Sequence, residues 1–168
     1  MSEPTAETSQ AHAGSGEPGV PGVIAPPPLI YLAGLGAGFA LQAALPSTFL
    51  AVWVSWPVGG VLLVAGAVLA RSFLRAFHRA STPVSPYSSP TALVTSGPYR
   101  LSRNPGYLGM ALLYAGIAIV TQTLWAFVPL IVVLITVDRG VIAREERYLE
   151  HRFGGEYRRY KRHTGRWL

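Results

Sequence analysis

The chain has 168 residues, half of them hydrophobic and only 13% charged, with a mean hydropathy of +0.33. A water-soluble domain of this size carries about a quarter charged residues, so composition excludes an ordinary soluble globule. With no cysteine there are no disulfides, thiolate nucleophiles or Cys-ligated metals.

The net charge of +6 is strongly segregated. All fourteen Lys and Arg lie at or after Arg71, whereas the first seventy residues hold three glutamates and no positive side chain. Five Arg fall between the second and third apolar runs (Arg71, Arg75, Arg79, Arg100, Arg103), and nine basic residues follow the last run. The positive-inside rule produces this pattern, and a basic surface suits an anionic cytoplasmic leaflet. Nucleic acid is not the expected partner, because no aromatic-interleaved basic patch lies outside the juxtamembrane segments. Thirteen Arg against a single Lys point to a GC-rich, bacterial genome, hence a bacterial inner or plasma membrane.

Residues 1–28 are rich in Ser, Thr, Glu, Gly and Pro, lack the positive n-region of a signal peptide, and read as a disordered tail. A membrane domain over 29–168 follows. Its first helix is expected near 29–45, with Gly34, Gly36 and Gly38 forming a small-residue face suited to close packing, including against another copy of the chain. The second is expected near 49–79, with Trp53 and Trp56 in an interfacial belt and Pro57 either kinking it or marking its true start. A cytoplasmic loop over 80–104 contains Pro83, Pro86 and Pro90.

Asn104 to Val137 is a stretch of 34 residues without a charge. As one helix it would span about 51 Å, against about 30 Å of hydrocarbon. Arginines flank both of its ends, so both ends belong on the same side and the number of crossings must be even. The reversal falls at Thr121-Gln122-Thr123, giving helices near 105–121 and 124–153 with Pro129 in the first turns of the second. The expected fold is therefore all-α and polytopic, with about four transmembrane helices, a short helical hairpin, both termini cytoplasmic and a final helix extending into the cytoplasm. On that last helix Ile142, Glu146, Leu149 and Phe153 share one face, so Glu146 is a carboxylate within an apolar stripe, and Glu145 points about 100° away. Gly154-Gly155 is expected to stop the helix, leaving a C-terminal segment over 154–168.

Three polar clusters then fall on the cytoplasmic side. They are Gly97-Pro98-Tyr99-Arg100 with Arg103-Asn104-Pro105-Gly106-Tyr107, then Glu145-Glu146, then Phe153-Gly154-Gly155-Glu156-Tyr157-Arg158-Arg159-Tyr160. A basic loop at a helix N-terminus suits a carboxylate ligand, and a glutamate on an apolar face suits a ribose diol or a nucleophile's proton. Arg166 and Trp167 read as anchors at the membrane surface. His12, His78, His151 and His163 have no metal-ligand spacing. No ionisable residue lies between Leu29 and Ala70 or between Asn104 and Val137, which argues against ion or proton translocation.

The order and spacing of these clusters resemble the membrane-embedded superfamily of isoprenylcysteine carboxyl methyltransferases and phospholipid N-methyltransferases, over roughly Thr82 to the C-terminus. Asn104 stands where many members have histidine, which removes a proton-transfer group but keeps a hydrogen-bonding one. The resemblance implies S-adenosyl-L-methionine as cofactor, held on the cytosolic side, and a lipophilic small-molecule or lipid acceptor arriving from the bilayer. It implies catalytic roles for Arg103 and Glu146. It implies cofactor contacts for Pro98, Tyr99, Arg100, Asn104, Pro105, Tyr107, Glu145, Tyr157 and Tyr160, with no metal. Two alternatives stand beside it, an NADPH-dependent membrane sterol-type reductase and a non-enzymatic membrane scaffold subunit.

Overall fold

The computed structural model describes residues 25–81 and 92–168. Most of the expected tail and the middle of the long loop lie outside them. The described residues are helical, with no strand among them. Helix α1 (Pro27–Ala44) opens at Pro27, two residues earlier than expected. Proline at the first positions of a helix costs no hydrogen bond, and its fixed φ favours the helical turn. Helix α2 (Val52–Arg79) begins ahead of Pro57, which sits inside its second turn. At 28 residues it is about 42 Å long, so it outreaches the hydrocarbon core and carries its arginines beyond it.

A short 3₁₀ turn (Gly97–Arg100) precedes α3 (Pro105–Val120), which starts on a fully buried proline. The expected reversal is present. The chain turns at Gln122, whose φ is 56°, and passes through a 3₁₀ turn (Leu124–Ala126) into α4 (Phe127–Val137). The final helix departs from expectation in two places. A π turn (Asp138–Ile142) joins α4 to α5 (Ala143–His163). At Gly154 the backbone takes φ 51° and ψ −120°, so the expected stop is a kink after which the helix resumes and runs to His163. Glycine tolerates that left-handed φ without a Cβ clash, so the chain can redirect there without ending the helix.

Three helical stretches are long and apolar enough to cross a membrane (Pro27–Ala44, Val52–Arg79 and Leu124–His163), and Pro105–Val120 is a shorter apolar helix. Within Leu124–His163 the apolar crossing is α4 with its π turn. Eleven of the 21 residues of α5 are charged, which places α5 beyond the hydrocarbon. Outward-facing Val61, Val64, Val68, Ile131, Val132 and Ile135 are well exposed, as lipid-facing side chains should be. Inside, Tyr31, Tyr114, Ala118, Leu130, Val133, Val137 and Ile142 form the buried core between α1, α3 and α4.

Small residues set close packing on the expected face of α1 and also on a second pair of helices, α2 and α3. A Cβ on Gly66 would lie 2.9 Å from the carbonyl oxygen of Gly109, and one on Gly59 would lie 2.9 Å from that of Gly116. Two glycines one heptad apart on α2 thus meet two glycines one heptad apart on α3, so the two backbones touch. On α1, Gly34 faces Val133 and Tyr114 and Gly38 faces Ala126, so both serve packing within the chain, whereas Gly36 faces open space.

The four helices α1 to α4 alternate in direction. At one end, Trp125 Nε1 donates to the Leu45 carbonyl at 2.7 Å and the Leu50 amide donates to Gln122 Oε1 at 3.3 Å. At the other end, Tyr31 OH donates to the Tyr107 carbonyl at 3.0 Å. The first end carries no charged side chain among the described residues. The described carboxylates all lie between Asp138 and Glu156, at the second end or beyond it.

Candidate functional site

The α3–α4 hairpin brings the loop before α3 level with the π turn after α4, which is the convergence that charge parity required. Into this end folds the C-terminal segment. The Arg103 amide donates to the Gly165 carbonyl at 3.0 Å. The Arg166 carbonyl accepts from Asn104 Nδ2 at 3.0 Å and from Ser102 Oγ at 3.3 Å. Asn104 and Ser102 are both buried, so their polar groups need these partners. Ser102 Oγ also accepts from the Asn104 amide at 3.0 Å, fixing the turn that leads into α3.

Glu146 is the hub. Its apolar-stripe position buries it to 5% exposure, and a carboxylate so placed requires charged partners. Arg103 Nη2 lies 2.8 Å from Oε1. Arg166 Nη2 lies 2.7 Å from Oε2, and its Nε donates to Oε1 at 3.3 Å. Both carboxylate oxygens are thereby engaged. The second guanidinium edge of Arg166 reaches Asp138 Oδ2 at 3.1 Å, and Trp167 Nε1 donates to Asp138 Oδ1 at 3.0 Å. These hydrogen bonds and charges hold the Arg166 guanidinium above its usual pKa. Arg103 Nη1 donates to the Lys161 carbonyl at 3.1 Å, but Arg103 Nε is buried with no hydrogen-bond partner.

Glu145 faces elsewhere, as the helical phase predicts, and accepts from Tyr107 OH at 2.7 Å. Burial pushes its carboxyl up to about 7, the Tyr107 hydrogen bond opposes this, and the charge of Glu146 adds to it. Tyr160 OH donates to the Tyr99 carbonyl at 2.7 Å, pinning the 3₁₀ turn to α5. Burial raises Tyr99 well above the ordinary phenol range, with Tyr160 and Glu145 adding to the shift. Its ring closes an aromatic group with Phe73 and Phe77, at centroid separations of 6.3 Å and 6.0 Å. The buried ring of Tyr157 stands 6.2 Å from that of Tyr160.

The structure therefore gathers Arg103, Asn104 and Glu146 into one cluster with the C-terminus. Tyr107 and Glu145 form a second pair, and Tyr99 and Tyr160 a third. Pro98 and Pro105 shape the loop, at the start of the 3₁₀ turn and of α3 respectively. Arg100 is exposed and takes part in none of these contacts. Asp138 and Arg166 are the additions that sequence reasoning did not place in the site. Asp138 follows the uncharged stretch directly, a carboxylate beside Arg139, and that position is the signal the sequence carries for it.

Among known protein families, residues 54–156 match Phospholipid methyltransferase. The chain belongs to that family. As a family member it is a membrane methyltransferase in general terms, and the matched segment takes in the α2–α3 pair, the hairpin, Arg103 and both glutamates. An uncharacterised protein of Haemophilus influenzae is 47% identical over 51 residues, covering 27% of this methyltransferase and 81% of that protein. No solved structure matches the chain.

Proposed function

We propose that this protein transfers a methyl group from S-adenosyl-L-methionine to a lipophilic acceptor dissolved in the membrane. The observation that carries the proposal is the convergence of the hairpin's two ends and the C-terminus on Glu146, at the charged end of an otherwise apolar bundle. The residues present suit such a donor. Arg103 Nε is a buried cationic donor that lacks an acceptor, as a site for a carboxylate requires. Glu145 supplies a negative charge to face a sulfonium, and the half-buried rings of Tyr99 and Tyr160 offer faces for a cation or an adenine, with the buried Tyr157 ring packed behind Tyr160. When bound, the donor supplies an electrophilic methyl carbon for in-line displacement.

The protein's own contribution is alignment, exclusion of water and charge. Glu146 holds Arg103 in place, and Arg103 orients a carboxylate through the edge that Glu146 leaves open. Tyr107 holds the Glu145 carboxylate at Oε1, leaving Oε2 for a cation or for an acceptor's proton. Asn104 fixes the C-terminal segment by donating to the Arg166 carbonyl, a structural duty that asparagine fulfils without titrating. The apolar outer surface of the helices gives an oily acceptor a route within the bilayer plane.

Two measurements test the proposal. Titration calorimetry of the purified protein should show binding of S-adenosylmethionine and S-adenosylhomocysteine, and no heat with either removes the reading. Incubating membrane extracts with deuteromethyl-labelled donor should give a labelled lipophilic product by mass spectrometry.

A further inference from the structure

Within the proposed methyl-transfer reading, we infer that Arg166 is a positioning residue of the donor site: through Glu146 it sets the Arg103 guanidinium, and Asp138 in turn sets Arg166. The chain of contact is continuous. Arg166 spans both oxygens of one buried carboxylate, Arg103 shares Oε1 with it, and Arg166 places its remaining edge on Asp138. A guanidinium is suited to this because its planar fork bridges two carboxylates at fixed geometry, which an ammonium cannot do.

The fold contributes at both ends of the bridge. Asp138 opens the π turn, and π turns inside helices recur at functional sites. The wider turn inserts between the membrane crossing and α5, so that Asp138 and Glu146 both reach one guanidinium although they lie eight positions apart. On the other side, the Arg166 carbonyl ties down Asn104 and Ser102, while the Arg103 amide holds Gly165. Arg166 thus touches the Arg103 loop twice, by side chain through Glu146 and by main chain through Asn104. A residue that only anchored the C-terminus at a membrane surface would need neither contact.

The test is titration of S-adenosylhomocysteine into the full-length protein in detergent, with thermal unfolding followed in parallel. The variants are Arg166→Ala, Arg166→Lys, Asp138→Asn and the Arg166→Ala/Asp138→Asn double. Wild type should bind, and Arg166→Ala should bind more weakly by on the order of tenfold or more, the scale of one hydrogen bond to a charged group. Arg166→Lys, which restores one ion pair with Glu146 but not the fork, should fall between them. Asp138→Asn should weaken binding by a smaller factor and add less again in the Arg166→Ala background, because both act through the same guanidinium. Equal affinity in wild type, Arg166→Ala and Arg166→Lys, with only the unfolding temperature lowered, would overturn the inference and leave methyl transfer standing. If wild type itself does not bind, the methyl-transfer reading falls and the inference falls with it.

Discussion

Replacing Glu146 with glutamine removes one negative charge and almost no volume. Two guanidiniums then face an uncharged amide with one accepting oxygen, while its NH2 group turns a donor toward one of them. The side chains of Arg103 and Glu146 are 9% and 6% exposed, so their pair is a buried one, and breaking such a pair costs about 3–5 kcal/mol. The Arg166 side chain is 35% exposed, so solvent screens its share and its loss adds at most about 1 kcal/mol. Arg103 keeps its bond to the Lys161 carbonyl, which leaves it tethered but free to swing away from the open end of the site. If only half of that cost falls on the productive position of Arg103, turnover drops on the order of a hundredfold, since about 1.4 kcal/mol is tenfold. The assay is turnover with labelled donor, beside size-exclusion behaviour in detergent to establish that the variant is folded. A folded Glu146→Gln protein with wild-type turnover would refute the reasoning, because an idle carboxylate cannot be organising the donor site.

Other predictions follow from the same geometry. Arg103→Ala should lose most turnover while remaining folded in detergent; unaltered donor KM and kcat would show the cluster to be a structural knot. Glu145 has a folded pKa near 7 against an ordinary 4.5, so the folded state holds its proton more tightly than the unfolded state does. Its contribution therefore costs stability as pH rises from about 4.5 to 7, and denaturation between pH 5 and 8 should show that decline in wild type but not in Glu145→Gln. Gly66→Ala places a methyl group 2.9 Å from the Gly109 carbonyl and should destabilise the protein by about 1–3 kcal/mol, seen as a lower unfolding temperature, while Gly36→Ala, facing open space, should not. Deleting residues 1–24 should leave donor affinity unchanged, because the site is assembled from residues between Tyr99 and Trp167; a large loss of binding would contradict that assembly.

Charge and helical phase made much of this legible in the sequence. Arginines at both ends of an uncharged stretch too long for one crossing imposed the hairpin, and the hairpin imposed the meeting of Arg103 with Glu146. The 3.6-residue period separated the two glutamates onto different faces, and their different partners, guanidiniums for Glu146 and a phenol for Glu145, bear that out. What periodicity does not carry is the identity of a neighbour across space. The α1 glycines and the α2–α3 glycines look alike along the chain, yet only the assembled bundle decides which of them meet another backbone, as Gly38, Gly59 and Gly66 do, and which face open space, as Gly36 does. The Arg166–Asp138 contact spans 28 positions and depends on a kink at Gly154 and a π turn, neither of which leaves a periodic trace. Gly154-Gly155 signalled an interruption, but not that the helix would resume after it.

The glycine seam between α2 and α3 has a mechanical consequence. Where glycine main chain meets main chain, with Leu63, Leu113 and Val120 packed beside it, two rods cannot pivot apart by swapping rotamers alone, and any opening must break the main-chain contacts as well. These helices therefore behave as one welded plank, with Phe73 of one lying against Gly106 of the other at its charged tip. A bulky guest sliding sideways out of the bilayer must enter past a different edge of the bundle.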